Sequence, residues 1–320
     1  SVDETLETIQ TLALGLLELK IKPGEKVAII SGNRPAWNFV DFAVQIIGGV
    51  TVPMYPTITI EDYDYIFKDA EVKFVFCENE ELYLKVKEAS KGNKQIKGIY
   101  TFDPVADVER WTTVKDLGEG KDVAKLKPLM DAVQPSDLLT LIYTSGTTGR
   151  PKGVMLTHHN IVSNVKSLVR GNFFDLLPED RALSFLPLCH IAERMGGEYF
   201  SMYTGAKLNF VENPETVPEN VREIAPTVFG AVPRVWEKFY SGVMIALKEA
   251  GGLQQAVYGW AIGVGQQVAD LVLAQQPVPA SLKLRFHVAR LLALNNVRKM
   301  IGIHRARFLV TGAAPISPDL

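Results

Sequence analysis

Short apolar runs, each closed by a turn and followed by helical periodicity, recur along this 320-residue chain, and that alternation restricts the folds open to it. Val27-Ala28-Ile29-Ile30 reads as a strand, and Pro35 then opens a helix with a stripe of Trp37, Val40, Phe42, Val44 and Ile47. Val50 to Met54, Lys73 to Cys77 and Gly98 to Phe102 repeat the strand signal, with helices expected around 61–70 and 80–90. Strands alternating with helices in this way predict a mostly parallel sheet covered by helices. The more polar residues from Asp103 to Pro135 interrupt the pattern and are expected to make a surface excursion.

A second series begins with the apolar strand Leu138 to Tyr143, and further strands are expected at Arg181 to Leu186, Ala206 to Val211, Thr227 to Val232 and Arg307 to Val310. A helical excursion fills about 233–301, broken near Gly251-Gly252 and Pro277-Val278-Pro279. The fold class expected is therefore α/β, with two similar subdomain portions, 1–135 and 136–320, sharing one cleft. The chain opens on Ser1-Val2-Asp3-Glu4-Thr5, which has no basic stretch of a signal peptide and begins a helix striped by Leu6, Ile9, Ala13, Leu16 and Leu17. It stops at Ser317-Pro318-Asp319-Leu320, and both ends read as cuts within a longer domain.

Composition excludes more than it selects. A net charge of -2 gives no reason to expect nucleic acid as a partner. No apolar run approaches the roughly 18 residues needed to span a bilayer. Cys77 and Cys189 match no metal or redox spacing and read as small apolar residues in a reducing compartment.

The residues that carry chemistry are Tyr143-Thr144-Ser145-Gly146-Thr147-Thr148-Gly149-Arg150-Pro151-Lys152-Gly153. Glycines allow close backbone approach to a ligand, while the hydroxyls of Thr144, Ser145, Thr147 and Thr148 and the exposed N–H groups donate to phosphate oxygens. Lys152 adds a point charge suited to a polyphosphate. The arrangement is not a Walker A loop, because Lys152 follows Pro151 and precedes Gly153. A dinucleotide fingerprint, a G-x-S-x-G elbow and an H-E-x-x-H helix are all missing.

This loop resembles the signature phosphate-binding loop of the adenylate-forming superfamily, which includes acyl-CoA synthetases, luciferases and peptide-synthetase adenylation domains. Five other segments are similar to family motifs in the same order: Val52 to Thr57, Leu156 to Ile161, Leu186 to Arg194, Gly230 to Trp236 and Thr311 to Pro315. Leu186-Pro187-Leu188-Cys189-His190-Ile191-Ala192-Glu193-Arg194 looks like the long-chain fatty-acid version of its motif. The resemblance implies part of the large N-terminal domain of an acyl-CoA synthetase/luciferase-like fold, with the small C-terminal domain outside this chain.

It also implies roles. Thr144, Ser145, Gly146, Thr147, Thr148, Gly149 and Lys152 would hold the ATP phosphates, with Thr144 near Mg2+. Gly312, Ala313, Ala314 and Pro315 would pass beside adenine. His190, Arg194, Val232 and Pro233 would line the acyl site, with His190 close to the reacting carboxylate. Arg194 is either a gate or half of a salt bridge with Glu193, and His158 and His159 are expected to begin a helix.

The implied reaction is attack of a fatty-acid carboxylate on the α-phosphate of ATP, followed by transfer of the acyl group to coenzyme A. The sequence leaves two rivals: an acyl-AMP ligase or carboxylic-acid reductase loading a carrier protein, and a domain that binds nucleotide or acyl chains without turnover. The family's ribose-binding aspartate and C-terminal lysine would fall beyond Leu320, so these residues alone are expected to be inactive. One charge pattern stands apart. Between Asp270 and Asp319 there is no acidic residue, while Lys283, Arg285, Arg290, Arg298, Lys299, Arg305 and Arg307 alternate with leucines. The stretch 281–307 is either a solvated helix face or a surface for anionic lipid, so the expected location is the cytoplasm or the inner face of a membrane.

Overall fold

The computed structural model describes residues 1–144, 149–171 and 176–317. Contacts divide the chain into two compact units, Ser1–Asp175 with Ser184–Thr204, and Leu176–Leu183 with Gly205–Leu320.

The first unit starts with α1 (Val2–Glu18), β1 (Lys26–Ile30), α2 (Pro35–Ile46), β2 (Val50–Pro53), α3 (Ile60–Asp69), β3 (Val72–Cys77), α4 (Glu80–Ala89) and β4 (Gly98–Thr101). Then come α5 (Trp111–Asp116), α6 (Leu126–Ala132), β5 (Leu138–Thr144), β6 (Lys152–Thr157) and α7 (His158–Arg170). One six-stranded sheet results, in the order β4-β3-β1-β2-β5-β6. Its first five strands are parallel and β6 runs antiparallel to β5. Strands buried on both faces need continuous apolar runs, and Val27 to Ile30 and Val75 to Cys77 are fully enclosed.

The boundary expected after residue 135 falls inside this unit. The reason is the pairing of β5 with β2 at Thr51 and Thr140, which adds the second strand series to the first sheet. The polar excursion from Asp103 to Pro135 folds back on α1. There Gly15 and the turn at Gly118 meet backbone to backbone: a Cβ on Gly15 would stand 1.8 Å from the Val114 carbonyl oxygen. The helical stripe of α1 is Ile9, Leu12, Ala13 and Leu16, whereas Leu6 faces outward.

β7 (Arg181–Ser184) begins in the second unit. The chain then supplies the first unit with α8 (Ile191–Glu193), a π-helical turn at Arg194–Tyr199, and α9 (Phe200–Thr204). The rest of the second unit is β8 (Lys207–Phe210), α10 (Val217–Ile224), β9 (Val228–Ala231), α11 (Pro233–Glu249), α12 (Gly252–Leu273), α13 (Ala280–Ala289), α14 (Asn295–Met300) and β10 (Phe308–Thr311). Among the described residues its strands form two pairs, β7 with β8 and β9 parallel to β10. No helix among the described residues is long and apolar enough to cross a membrane.

The contact at Gly15 makes a sharp prediction. Gly15→Ala must push α1 off Val114 and should cost about 2 kcal/mol or more, because overpacking against backbone cannot relax by a rotamer change. Urea unfolding of the variant measures it, and an unchanged midpoint would contradict the packing.

Candidate functional site

In parallel α/β sheets, ligands bind outside the carboxyl ends of the strands, where the loops converge. Three features of the first unit occupy that edge: the turn after β1, the loop between β5 and β6, and the segment that leads to His190.

The β5–β6 hairpin fixes the loop's two ends. Its antiparallel register sets Tyr143 opposite Gly153 and Thr144 opposite Lys152. Ser145, Gly146, Thr147 and Thr148 lie outside the described residues. Thr144, Gly149 and Lys152 are exposed, so hydroxyl, backbone and ammonium are open to a ligand. Gly149 has φ 121°, a conformation that a side chain would strain. Gly153 gives room to the Tyr143 ring, since a Cβ there would stand 3.0 Å from its Cζ. The Tyr143 hydroxyl donates to Asp69 at 2.5 Å, and burial together with that carboxylate holds the phenol well above its ordinary range. The hairpin is thus anchored on α3 through Tyr143. Strand β6 was not foreseen, because Lys152 to Thr157 alternates too weakly to stand out from the glycine loop. His158 does open α7, capped by Thr157, whose hydroxyl accepts from the Asn160 N–H at 3.2 Å.

The turn after β1 positions the second feature. Asn33 donates through Nδ2 to the Ser184 hydroxyl at 2.8 Å and to the Leu186 carbonyl at 2.7 Å. Its Oδ1 accepts from the Leu188 N–H at 3.0 Å. One amide therefore grips three residues of the segment that leads to His190. Arg34 ties the same turn to Glu78 at 3.0 Å and Asp103 at 2.8 Å. Asn33 was missed as a site residue; its signal was Gly32-Asn33-Arg34-Pro35, a polar turn between an apolar strand and a helix start.

His190 is exposed and caps α8, its Nδ1 accepting from the Ala192 N–H at 3.1 Å. With Nδ1 accepting in this bond, the ring's hydrogen falls to Nε2. The Nε2–H is left as the donor for a ligand oxygen.

Arg194 requires a correction. It makes no salt bridge with Glu193, and its side chain is fully enclosed, 0% exposed, so it offers no wall or gate to a ligand. Its guanidinium meets both Asp41 carboxylate oxygens at 2.6 Å, Glu198 at 3.3 Å and the Thr140 hydroxyl at 2.6 Å. It also donates to the Tyr199 hydroxyl and lies 5.3 Å from the Trp37 ring centre. The physical reason is the π-helical turn that begins at Arg194. Asp41 was missed for a plain reason: it sits inside the apolar stripe of α2, where a lone carboxylate reads as a solvent position.

Glu193 is buried separately, with Oε1 unpartnered and pressed against Gly197. Burial pushes its carboxyl up to about 7, against the opposing hydrogen bonds of Ser184 and the Leu186 backbone. Both cysteines are buried and free, and burial raises each thiol to about 12, which makes them inert packing groups.

In the second unit, Val232 and Pro233 form the N-terminus of α11 where β9 ends, Val232 half-buried and Pro233 buried. Gly312 to Pro315 follow the carboxyl end of β10 and are exposed, with Ala313 at φ 68°. A left-handed alanine in a loop beyond a parallel strand is the kind of local strain that collects at ligand sites.

A family model described as AMP-binding enzyme matches residues 1–320. A long-chain-fatty-acid–CoA ligase of Gallus gallus is 31% identical over 320 residues, covering 96% of this chain and 41% of that protein. A peroxisomal long chain acyl-CoA synthetase of Arabidopsis thaliana is 29% identical, covering 97% of this chain and 43% of the relative. The chain thus spans about two fifths of the length of the curated relatives it matches. Among solved structures, the inhibitor-bound N-terminal domain of FACL13 from Mycobacterium tuberculosis matches with a TM-score of 0.67 at 19% identity, covering 100% of this chain and 64% of that one. ATP-bound MatB from Rhodopseudomonas palustris matches with a TM-score of 0.63 at 23% identity, covering 74% and 44%. Those likenesses establish the fold.

Glu193 supplies a pH test. Below about pH 4.5, its ordinary value, the group is neutral whether folded or unfolded. As pH rises the unfolded chain releases this proton first, while the folded chain keeps it until about 7. Stability from this group is therefore full below the lower value, falls across the window and is lost above it. Glu193→Gln removes the titration, so its stability relative to wild type should rise with pH by up to about 3 kcal/mol. Urea unfolding across that range checks it; parallel pH profiles would exclude the assignment.

Proposed function

The chain belongs to the family of AMP-binding enzymes, and from that membership we propose that it is the ATP-handling part of a ligase that activates a long-chain fatty acid and passes it to coenzyme A. The observation that carries the reading is the β5–β6 hairpin, which opposes Thr144 to Lys152 across a glycine- and hydroxyl-rich loop. The long-chain acyl substrate is taken from the relatives' activity and from the Leu186–Arg194 segment.

In this reading the carboxylate oxygen attacks the α-phosphorus of ATP and pyrophosphate leaves with the electron pair of the broken P–O bond. The coenzyme A thiol then attacks the acyl carbon, loses its proton, and AMP departs. Phosphoryl transfer of this kind asks the protein for positioning and electrostatics more than for a nucleophile. Lys152 and the loop N–H groups stabilise charge on the phosphates, and the Nε2–H of His190 donates to the reacting carboxylate or α-phosphate. Gly312 to Pro315 are assigned to adenine, and Val232 and Pro233 to the acyl pocket.

Mg2+ fits the exposed oxygen of Thr144. This ion binds hard oxygen ligands, commonly one or two from protein with phosphates and water completing its shell. It would supply charge neutralisation at the phosphates. The substrate-binding role expected of Arg194 is not carried forward, since its guanidinium is enclosed.

A peripheral membrane role is proposed for the acid-free stretch. Leu282, Phe286, Ala289 and Ala293 pack with α12. Leu284 (67% exposed), Val288, Leu291 (60% exposed) and Leu292 form a second, outward face at helical spacing. Lys283, Arg285 and Arg290 are exposed beside it. Apolar residues set among uncompensated cations match the interface of an anionic leaflet, where an insoluble fatty acid partitions.

Two outcomes are expected of the full-length protein. Lys152→Ala should slow fatty-acid-dependent ATP–pyrophosphate exchange at least about tenfold, roughly 1.4 kcal/mol of transition-state stabilisation, with an unaltered melting temperature. Undiminished exchange would remove Lys152 from the phosphate site. The protein should also sediment with phosphatidylglycerol vesicles and be released by salt, and Arg285→Glu with Arg290→Glu should weaken that binding by about tenfold. Equal binding to phosphatidylcholine vesicles would rule out an electrostatic surface.

A further inference from the structure

A guanidinium with no access to water is a costly choice for packing alone, since a buried ion pair seldom outdoes an apolar replacement of the same shape. Its directional bonds are what an apolar side chain cannot supply. Arg194 makes those bonds between two segments that the proposed function assigns to chemistry.

On one side is the His190 turn. Arg194 lies one helical turn after His190, and its own N–H donates to the His190 carbonyl at 3.2 Å. On the other side is β5. Arg194 Nη1 donates to Thr140 Oγ1 at 2.6 Å, and that hydroxyl in turn donates a hydrogen bond to the Thr51 carbonyl at 2.9 Å. Side chains alternate along a strand, so Thr140, Ile142 and Thr144 leave one face of β5. The opposite face carries Leu141 and Tyr143 toward α3 and α4. Thr144, at the edge of the phosphate loop, therefore shares its face with the hydroxyl that Arg194 holds. The remaining described partners of Arg194 are Asp41 and Trp37 on α2 and Glu198 and Tyr199 on its own segment; Thr140 is the one that lies on the sheet.

We propose that Arg194 is a positioning residue for the adenylation step, its bond to Thr140 fixing the His190 turn relative to the strand that ends at Thr144. This deepens the proposed function and rests on it for its catalytic consequence. The carboxylates of Asp41 and Glu198 aim the guanidinium, and Thr140 is where its position is passed to the sheet. The link is mechanical and requires no proton movement.

Thr140→Val keeps the shape of the side chain and removes the hydroxyl, whereas Thr140→Ser keeps the hydroxyl. In the full-length protein, Thr140→Val should lower kcat for ATP–pyrophosphate exchange by about tenfold, with KM for ATP changed by less than about threefold, in material whose circular dichroism matches wild type. Thr140→Ser should restore kcat. Hydrogen exchange supplies a reading independent of turnover, because the Ala192 and Arg194 amides both donate to His190. Those amides should exchange faster by about tenfold in Thr140→Val and return to wild-type rates in Thr140→Ser. Unchanged kcat in an active protein overturns the proposal, as does a loss matched by Thr140→Ser or explained by the unfolded fraction. A wild-type protein inactive with every acid tested overturns the proposed function instead, and the amide rates still decide the link: unchanged rates in Thr140→Val reject it.

Discussion

The parallel ladder between β2 and β5 runs through the pair Thr51 and Thr140, and much of the first unit depends on that seam. Four parallel strands, β4-β3-β1-β2, make a sheet of their own, but the glycine- and hydroxyl-rich loop is not among their connections. Joining β5 to β2 brings the loop's strand to the sheet with its carboxyl end beside those of β1 and β2. The antiparallel return of β6 then closes the loop and covers the outer edge of β5. A loop tethered to one strand would move with that strand. A loop strung between two hydrogen-bonded strands has both ends fixed, and Thr144 and Lys152 are those ends.

Placing polar threonines at a buried seam has an electrostatic consequence. Thr140 is fully enclosed, so its hydroxyl must be satisfied by protein, and the Thr51 carbonyl and Arg194 do so. Arg194 in turn needs anions, and Asp41 and Glu198 are at hand. Burial pushes the Glu198 carboxyl well above its ordinary range, and Asp41 adds to the shift, while Arg194 opposes it. The guanidinium is thus ringed by hydrogen-bond acceptors, which a low-dielectric interior demands of a buried cation. Burial likewise pushes the Glu193 carboxyl up to about 7, outweighing its hydrogen bonds from Ser184 and the Leu186 backbone.

These features differ in how far the amino-acid order reveals them. The strands at 26–30, 50–53, 72–77, 98–101, 138–144, 181–184, 207–210, 228–231 and 308–311 all sit within a residue or two of apolar runs readable in advance, and at 26–30, 50–53 and 72–77 burial on both faces writes itself as continuous hydrophobicity. The breaks at Gly251 and at Pro277–Pro279 also fall between helices. β6 is invisible for the converse reason: as an edge strand with exposed Val154 and Met155 it has no buried face to advertise. Partners far apart in sequence were hidden too. Nothing local marks Asp41 as the counter-ion of a residue more than a hundred positions away, or Asn33 as the clamp on Ser184 to Leu188. The glycine- and hydroxyl-rich segment, by contrast, stands out from order alone because its residues are consecutive.

The second unit shows how a small set of strands can be rigid at one end and open at the other. Asp180 precedes β7, Thr227 precedes β9 and Arg307 precedes β10, and one carboxylate joins all three. Thr227 donates its hydroxyl proton to Asp180 at 2.5 Å, and Arg307 Nε donates to the same oxygen at 3.2 Å. Backbone bonds continue the tie, from Arg307 to the Thr227 carbonyl at 2.7 Å and from Lys207 to the Asp180 carbonyl at 2.8 Å. Although burial pushes the Asp180 carboxyl upward, the bonds from Arg307 and Thr227 win and hold it below its ordinary range. Each of these ties lies where the strands begin. At the carboxyl end of β10 the chain instead runs into exposed Gly312 to Pro315 with a left-handed Ala313. Parallel strands started from a common clamp need no further ties at their far ends to stay aligned. A residue in an unfavoured conformation can persist there because the clamp, and not the loop, secures the strands.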